Sequence, residues 1–138
     1  MKSATRLSAE ESRIVAAALE PLSRRARRPL SLDGLIERWG CFAVQVEQGY
    51  KLTIYDYTDD LSTRDLLEHI LNQVPAPLRK RLLAQIEAWD NRFRQATTES
   101  ERPLRPRPAG APRWWWFRIP KNIDGELRAD LLAEGVLS

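Results

Sequence analysis

The apolar positions of this chain follow one period, then another, then the first again. Ile14, Val15, Ala18, Leu19 and Leu22 fall on one face of an α-helix. Ser8-Ala9-Glu10-Glu11 precedes that stripe and reads as a capping box: the serine oxygen accepts from the N3 amide while Glu11 reaches back to the cap. Pro21 marks the end of the regular pattern, or lies just past it. Residues 23–29 are basic and too polar to be core. A second, short helix is expected over Leu32, Leu35, Ile36 and Trp39, with Ser31 as its cap and Gly40 as its stop.

The period then changes to two. Phe42, Val44 and Val46 alternate with Ala43, Gln45 and Glu47, and Leu52 and Ile54 alternate with Lys51, Thr53 and Tyr55. This predicts a β-hairpin over 41–57. A three-residue loop, Glu47-Gln48-Gly49, sets Val46 opposite Tyr50, Val44 opposite Leu52 and Phe42 opposite Ile54, so that every apolar residue shares a face. It also gives Gly49 the left-handed position of a G1-bulge turn.

Helical spacing returns after Tyr57. Ser62 and Asp65 resemble a capping box, with Leu61 and Leu66 as its hydrophobic staple. Leu66, Leu67, Ile70, Leu71 and Val74 carry the buried face. Pro75 and Pro77 end this helix and begin another, striped by Leu78, Leu82, Ile86, Trp89 and Phe93 and ending near Thr97. Residues 98–113 hold four of the nine prolines and read as an extended linker. Trp114-Trp115-Trp116-Phe117-Arg118-Ile119 is the most β-prone run, so a strand is expected over 113–119, stopped by Pro120. Asp124 would cap a last helix through Leu127, Leu131 and Leu132, ending at Gly135.

The expected order is α-α-β-β-α-α-β-α. It describes an α+β fold of about five helices against a small antiparallel sheet, the hairpin 41–57 plus the strand 113–119. The 138 residues suit a single domain over 1–138, with the proline- and arginine-rich linker inside it.

Composition narrows the function classes. One cysteine, Cys41, and one histidine, His69, cannot form an internal disulfide or a zinc site. Cys41 is expected as a small buried residue on a strand, and His69 as a surface or boundary residue of a helix. The chain shows no phosphate-binding glycine loop, no zinc-protease helix and no nucleophile elbow. No cofactor, metal site or catalytic residue is expected. The N-terminal residues lack a signal peptide's apolar stretch, and no apolar run approaches the length of a bilayer span, so a cytoplasmic location is expected.

The net charge is only +3, but the charge is segregated along the chain. Three groups emerge as binding candidates. The first is an acidic loop of Tyr55, Asp56, Tyr57, Asp59 and Asp60, suited to a basic partner. The second is the outward face of the tryptophan strand, Trp114, Trp116 and Arg118, where exposed tryptophan and arginine would suit a protein interface. The third is a basic patch, Arg24, Arg25, Arg27 and Arg28. Arg79-Lys80-Arg81 is notable too, because cations at a helix start oppose its dipole.

Together these features point to a non-catalytic module that binds another protein, such as an immunity or antitoxin-type protein that neutralises a toxin by covering it. The alternative is a nucleic-acid-binding accessory protein that uses the arginine clusters and the tryptophan strand. A third class is an enzyme using Asp56, Asp59 or Asp60 with a metal.

Overall fold

A computed structural model describes residues 6–104, 113–123 and 125–136. Among the described residues, five helices, a two-stranded antiparallel sheet and one 3-10 turn make up an α+β arrangement. Helix α1 spans Ala9–Ala26, α2 Leu32–Glu47, α3 Ile54–Gln73, α4 Ala76–Ala96 and α5 Gly125–Ala133. Strand β1 is Thr97–Glu99. The 3-10 turn Trp114–Phe117 leads directly into strand β2, Arg118–Pro120.

The capping box at Ser8 forms as expected. Ser8 Oγ accepts from Glu11 N at 3.1 Å, and Ser8 N donates to Glu11 Oε1 at 3.0 Å. Helix α1 nevertheless continues through Pro21 to Ala26, because Leu22 beyond the proline is still buried. Arg27 ends it in a left-handed conformation, φ 58°, with Arg27 N and Arg28 N donating to the Arg24 and Ser23 carbonyls.

The hairpin expected over 41–57 is helical. Residues 41–47 complete α2, and residues 54–57 open α3. Trp39, Phe42, Ala43 and Val46 are all buried at spacings of three, one and three, which is a helix stripe. Gly49 does take a positive φ, 98°, but it ends a helix there and does not turn a hairpin. The capping box lies nine residues earlier than Ser62: Thr53 Oγ1 accepts from Asp56 N, and Thr53 N donates to Asp56 Oδ2. Ser62 and Asp65 stand inside α3.

Gly40 is in the middle of α2 and is no stop. A β-carbon on it would come within 2.5–2.8 Å of the Trp89 ring. Glycine therefore lets α4 approach α2 with an indole between their backbones, and that gain outweighs its weak helix propensity.

The strand expected over 113–119 is shorter and shifted, to 118–120, and the tryptophans before it form the 3-10 turn. Its partner is β1, in the register Thr97↔Pro120, Thr98↔Ile119 and Glu99↔Arg118. The N-terminal half of the proposed linker is thus partly structured. Leu104 is fully buried and its N–H donates to the Trp116 carbonyl. Residues 105–112 of that linker, and the Asp124 cap, lie outside the described residues.

The core runs between the helices. Trp39, Phe42, Tyr50, Tyr57 and Phe93 form a chain of ring contacts with centroids 5.1–5.6 Å apart. Among the described residues no helix is long and apolar enough to cross a membrane.

Candidate functional site

The two tyrosines of the acidic segment have opposite fates because they fall on opposite sides of α3. Tyr57 is completely buried, and its hydroxyl donates to the Arg118 carbonyl at 2.9 Å. It is a core residue that ties α3 to β2 and is not available to a partner in this conformation. Burial drives its phenol well above the ordinary value. Tyr55 is 69% exposed, and Leu52 is 48% exposed. Among the described residues Leu132 on α5 is the other large exposed apolar side chain.

The three carboxylates differ as well. Asp56 is exposed and occupied as a helix cap. Asp59 has a side chain 72% exposed and meets Arg38 of α2 at 2.8 Å. Asp60 is the most enclosed. It takes a weaker contact from Arg38 at 3.3 Å, and its Oδ2 accepts from the Tyr50 hydroxyl at 3.0 Å. Burial raises its pKa, against the opposing pull of those two donors. Arg38 therefore joins α2 to α3 through two adjacent acids. Tyr55, Asp56 and Asp59 remain outward around the first turns of α3, and Leu52, in the bend before the Thr53 cap, is exposed as well. Asp130 of α5 accepts from Ile54 N at 3.0 Å and holds that helix start in place.

The tryptophan run is mostly turned inward. Trp115 and Trp116 are buried, and both indoles donate to Asp65, at 3.0 and 3.0–3.1 Å. Asp65 is therefore the acceptor for two indoles and not a helix cap. Burial raises its pKa, while the indole hydrogen bonds oppose the rise. The expected outward face of Trp114, Trp116 and Arg118 does not form, because the 3-10 turn breaks the alternation of a strand. Trp114 alone stays partly exposed, with the Arg94 guanidinium 3.8 Å from its ring centroid. Arg118 caps the end of α4: Nη2 donates to the Arg94 and Thr97 carbonyls, and Nε donates to Thr97 Oγ1.

Beside Trp115 lies a buried polar network that sequence reading missed. Arg64 grips Asp90 with Nε–Oδ1 at 2.9 Å and Nη2–Oδ2 at 3.0 Å. Asp90 also accepts from Trp39 Nε1 at 2.8 Å, and Arg64 reaches Glu68 at 3.0 Å. The Arg64 guanidinium lies 4.5 Å from the Trp115 ring centroid. Three helices and the 3-10 turn thus meet on one fully paired charge group. Its residues are too enclosed to face a macromolecular partner.

The basic patch is exposed at Arg24, Arg25, Arg27 and Arg28, with Arg24 paired to Glu20 at 2.8 Å. It stands at the C-terminal end of α1, where cations suit the helix dipole. The other helical basic group has local duties. Arg79 donates to the Leu71 and Val74 carbonyls and so caps α3, while Arg81 pairs with Glu11 at 2.7 Å. That pairing fixes the second group near the start of α1. At about 1.5 Å per residue, the two basic groups are separated by roughly the length of α1 and form no continuous stripe.

Cys41 is exposed on α2 and His69 is exposed on α3. The cysteine is therefore not the buried strand residue the pattern suggested: in a helix, the position before Phe42 points away from the core. Among the described residues no group of three His, Cys, Asp or Glu is placed to hold a metal ion. A shallow cleft of about 240 Å³ is lined by Glu47, Gln95, Ala96, Lys121 and Asn122. Glu47 is already paired with Arg92 at 2.6 Å. Compared with protein-family models, curated proteins and solved structures, the chain finds no match in any of the three.

Proposed function

We propose that this protein is a stoichiometric protein-binding module and that its docking face is the start of α3. The single observation that carries the reading is the exposure of Leu52, just before the Thr53 cap, and of Tyr55, in the first turn of α3, with Asp56 and Asp59 also exposed on that helix. Large apolar side chains left in water beside unburied carboxylates suit an interface with an apolar centre and a polar rim. Tyrosine is among the residues that carry disproportionate interface energy. The acids favour a partner with a basic face, which speeds encounter and fixes register. An immunity or antitoxin-type protein, which neutralises a toxin by covering it, is one form such a module takes.

The test is capture from the native host followed by light scattering of the purified complex. A single protein in defined stoichiometry is expected, with affinity lowered about tenfold or more by Tyr55→Ala. Charge reversal at Asp59 should slow association. Undiminished affinity in Tyr55→Ala and Leu52→Ser would remove this face from consideration.

A further inference from the structure

Arg38 holds two adjacent acids of α3 through one nitrogen. Its Nη2 lies 2.8 Å from Asp59 Oδ2 and 3.3 Å from Asp60 Oδ1. The two acids differ in what they need from it. The Asp59 side chain is 72% exposed, so water solvates its charge whether or not Arg38 is beside it. The Asp60 side chain is only 19% exposed, and its other oxygen is taken by the Tyr50 hydroxyl at 3.0 Å. Burial raises its pKa despite both donors, so its charge is the less well satisfied of the two. The shorter contact nevertheless goes to the acid that needs it less.

A cation arriving at Asp59 changes that balance. Drawing an acid out of an ion pair ordinarily strands its old partner. Here the same Nη2 already has a second carboxylate 3.3 Å away. A shift of about half an ångström turns that contact into a full charge-assisted hydrogen bond. Tyr50 is buried against the Phe42 and Tyr57 rings and holds Asp60 in place from the other side. Asp60 is therefore a fixed reserve acceptor, and Asp59 can change partners without leaving Arg38 unpaired.

We propose that Arg38 is a positioning residue of the docking face: when a basic side chain of the partner takes Asp59, Arg38 moves wholly onto Asp60. The exchange presupposes the docking face at the start of α3 and adds how that face gives up its internal ion pair. Asp60 then supports the complex without touching the partner.

The experiment has one arm without the partner and one with it. In the free chain, Asp59→Asn stands in for the displaced state. The Arg38 guanidinium protons, followed by NMR, should stay protected in Asp59→Asn and lose protection only when Asp60→Asn is added. Loss of protection in Asp59→Asn alone would overturn the exchange. In the second arm the protein captured from the native host is titrated with the variants. Asp60→Asn should weaken the complex about three- to fivefold, the weight of one exposed ion pair that Arg38 then keeps for itself. Arg38→Met in the same chain should restore the native affinity, whereas a merely structural role for Asp60 would leave the double variant as weak as the single. Unchanged affinity in Asp60→Asn, or no recovery in the double variant, would sink the inference while a weakened Tyr55→Ala complex keeps the docking face standing. Undiminished affinity in Tyr55→Ala, or no protein captured, would remove the face and this inference with it.

Discussion

Arg64 and Asp90 face each other from α3 and α4 as a two-point ion pair, 2.9 and 3.0 Å long, with both side chains almost wholly removed from water. A pair of this kind gains little over two apolar residues, but losing one member strands the other as a buried charge. Asp90→Ala should therefore lower the unfolding free energy by about 3–5 kcal/mol, measured by urea denaturation. Arg64→Met with Asp90→Leu should recover part of that loss and no more, because Trp39 Nε1 still lacks its acceptor. A double variant as unstable as the sum of its singles would contradict the coupling.

Gly40 and Trp89 make a second packing claim. Gly40→Ala improves helix propensity by about 1 kcal/mol in an open helix. Here the new methyl meets the indole at 2.5–2.8 Å, so a net loss of about 1–3 kcal/mol is expected. Trp89→Leu in the same chain should relieve the clash, and the pair should be more stable than additivity allows. Thermal melts of the four proteins decide it.

Tyr57 was grouped with Tyr55 by sequence and is separated from it by the fold. Tyr57→Phe should cost about 1–3 kcal/mol, because it leaves the enclosed Arg118 carbonyl without its donor. It should not alter partner affinity. Tyr55→Ala should do the reverse, leaving the melting temperature within a few degrees and weakening the complex. Equal effects of both variants on affinity would show that the face had been misplaced.

Asp65 gives a pH dependence of defined sign. Burial raises its pKa above the ordinary 3.8, so the folded chain holds the proton more tightly than the unfolded chain. Its contribution to stability is full below 3.8 and is lost as pH rises through the folded value. Asparagine does not titrate there. The stability of the native protein relative to Asp65→Asn should therefore increase as pH falls from 7 toward 4. Urea denaturation across that range reads the difference. A relative decrease would mean that the two indole hydrogen bonds outweigh burial.

Much of the helical framework is legible in the residues, because local rules and burial agree there. Ser8 with Glu11, Pro75 with Pro77, and the stripe Leu78, Leu82, Ile86 and Phe93 each mark their helices correctly. The region 41–57 misled because two periods fit it. Phe42, Val44 and Val46 alternate, while Trp39, Phe42, Ala43 and Val46 trace a helix, and Gly40 is a weak helix former in the middle of the second pattern. Only the approach of Trp89 explains that glycine, and such contacts across the fold leave no local signal. The Thr53-x-x-Asp56 cap was readable, being the same signature assigned to Ser62 and Asp65.

The candidate site was half legible for the same reason. Tyr55 faces outward whether 54–57 is the expected strand or the helix it forms. Tyr57 and Trp116 required the tertiary structure, since a tyrosine and a tryptophan carry polar groups that a core can satisfy.

Hydrogen exchange of the chain with and without its captured protein partner would place the docking face directly. Slowed exchange of the amides across 51–59, with 24–28 and 114–118 unaffected, is the pattern expected for a partner seated on Leu52 and Tyr55. Protection at either of those other segments, with 51–59 exchanging as in the free chain, would contradict it.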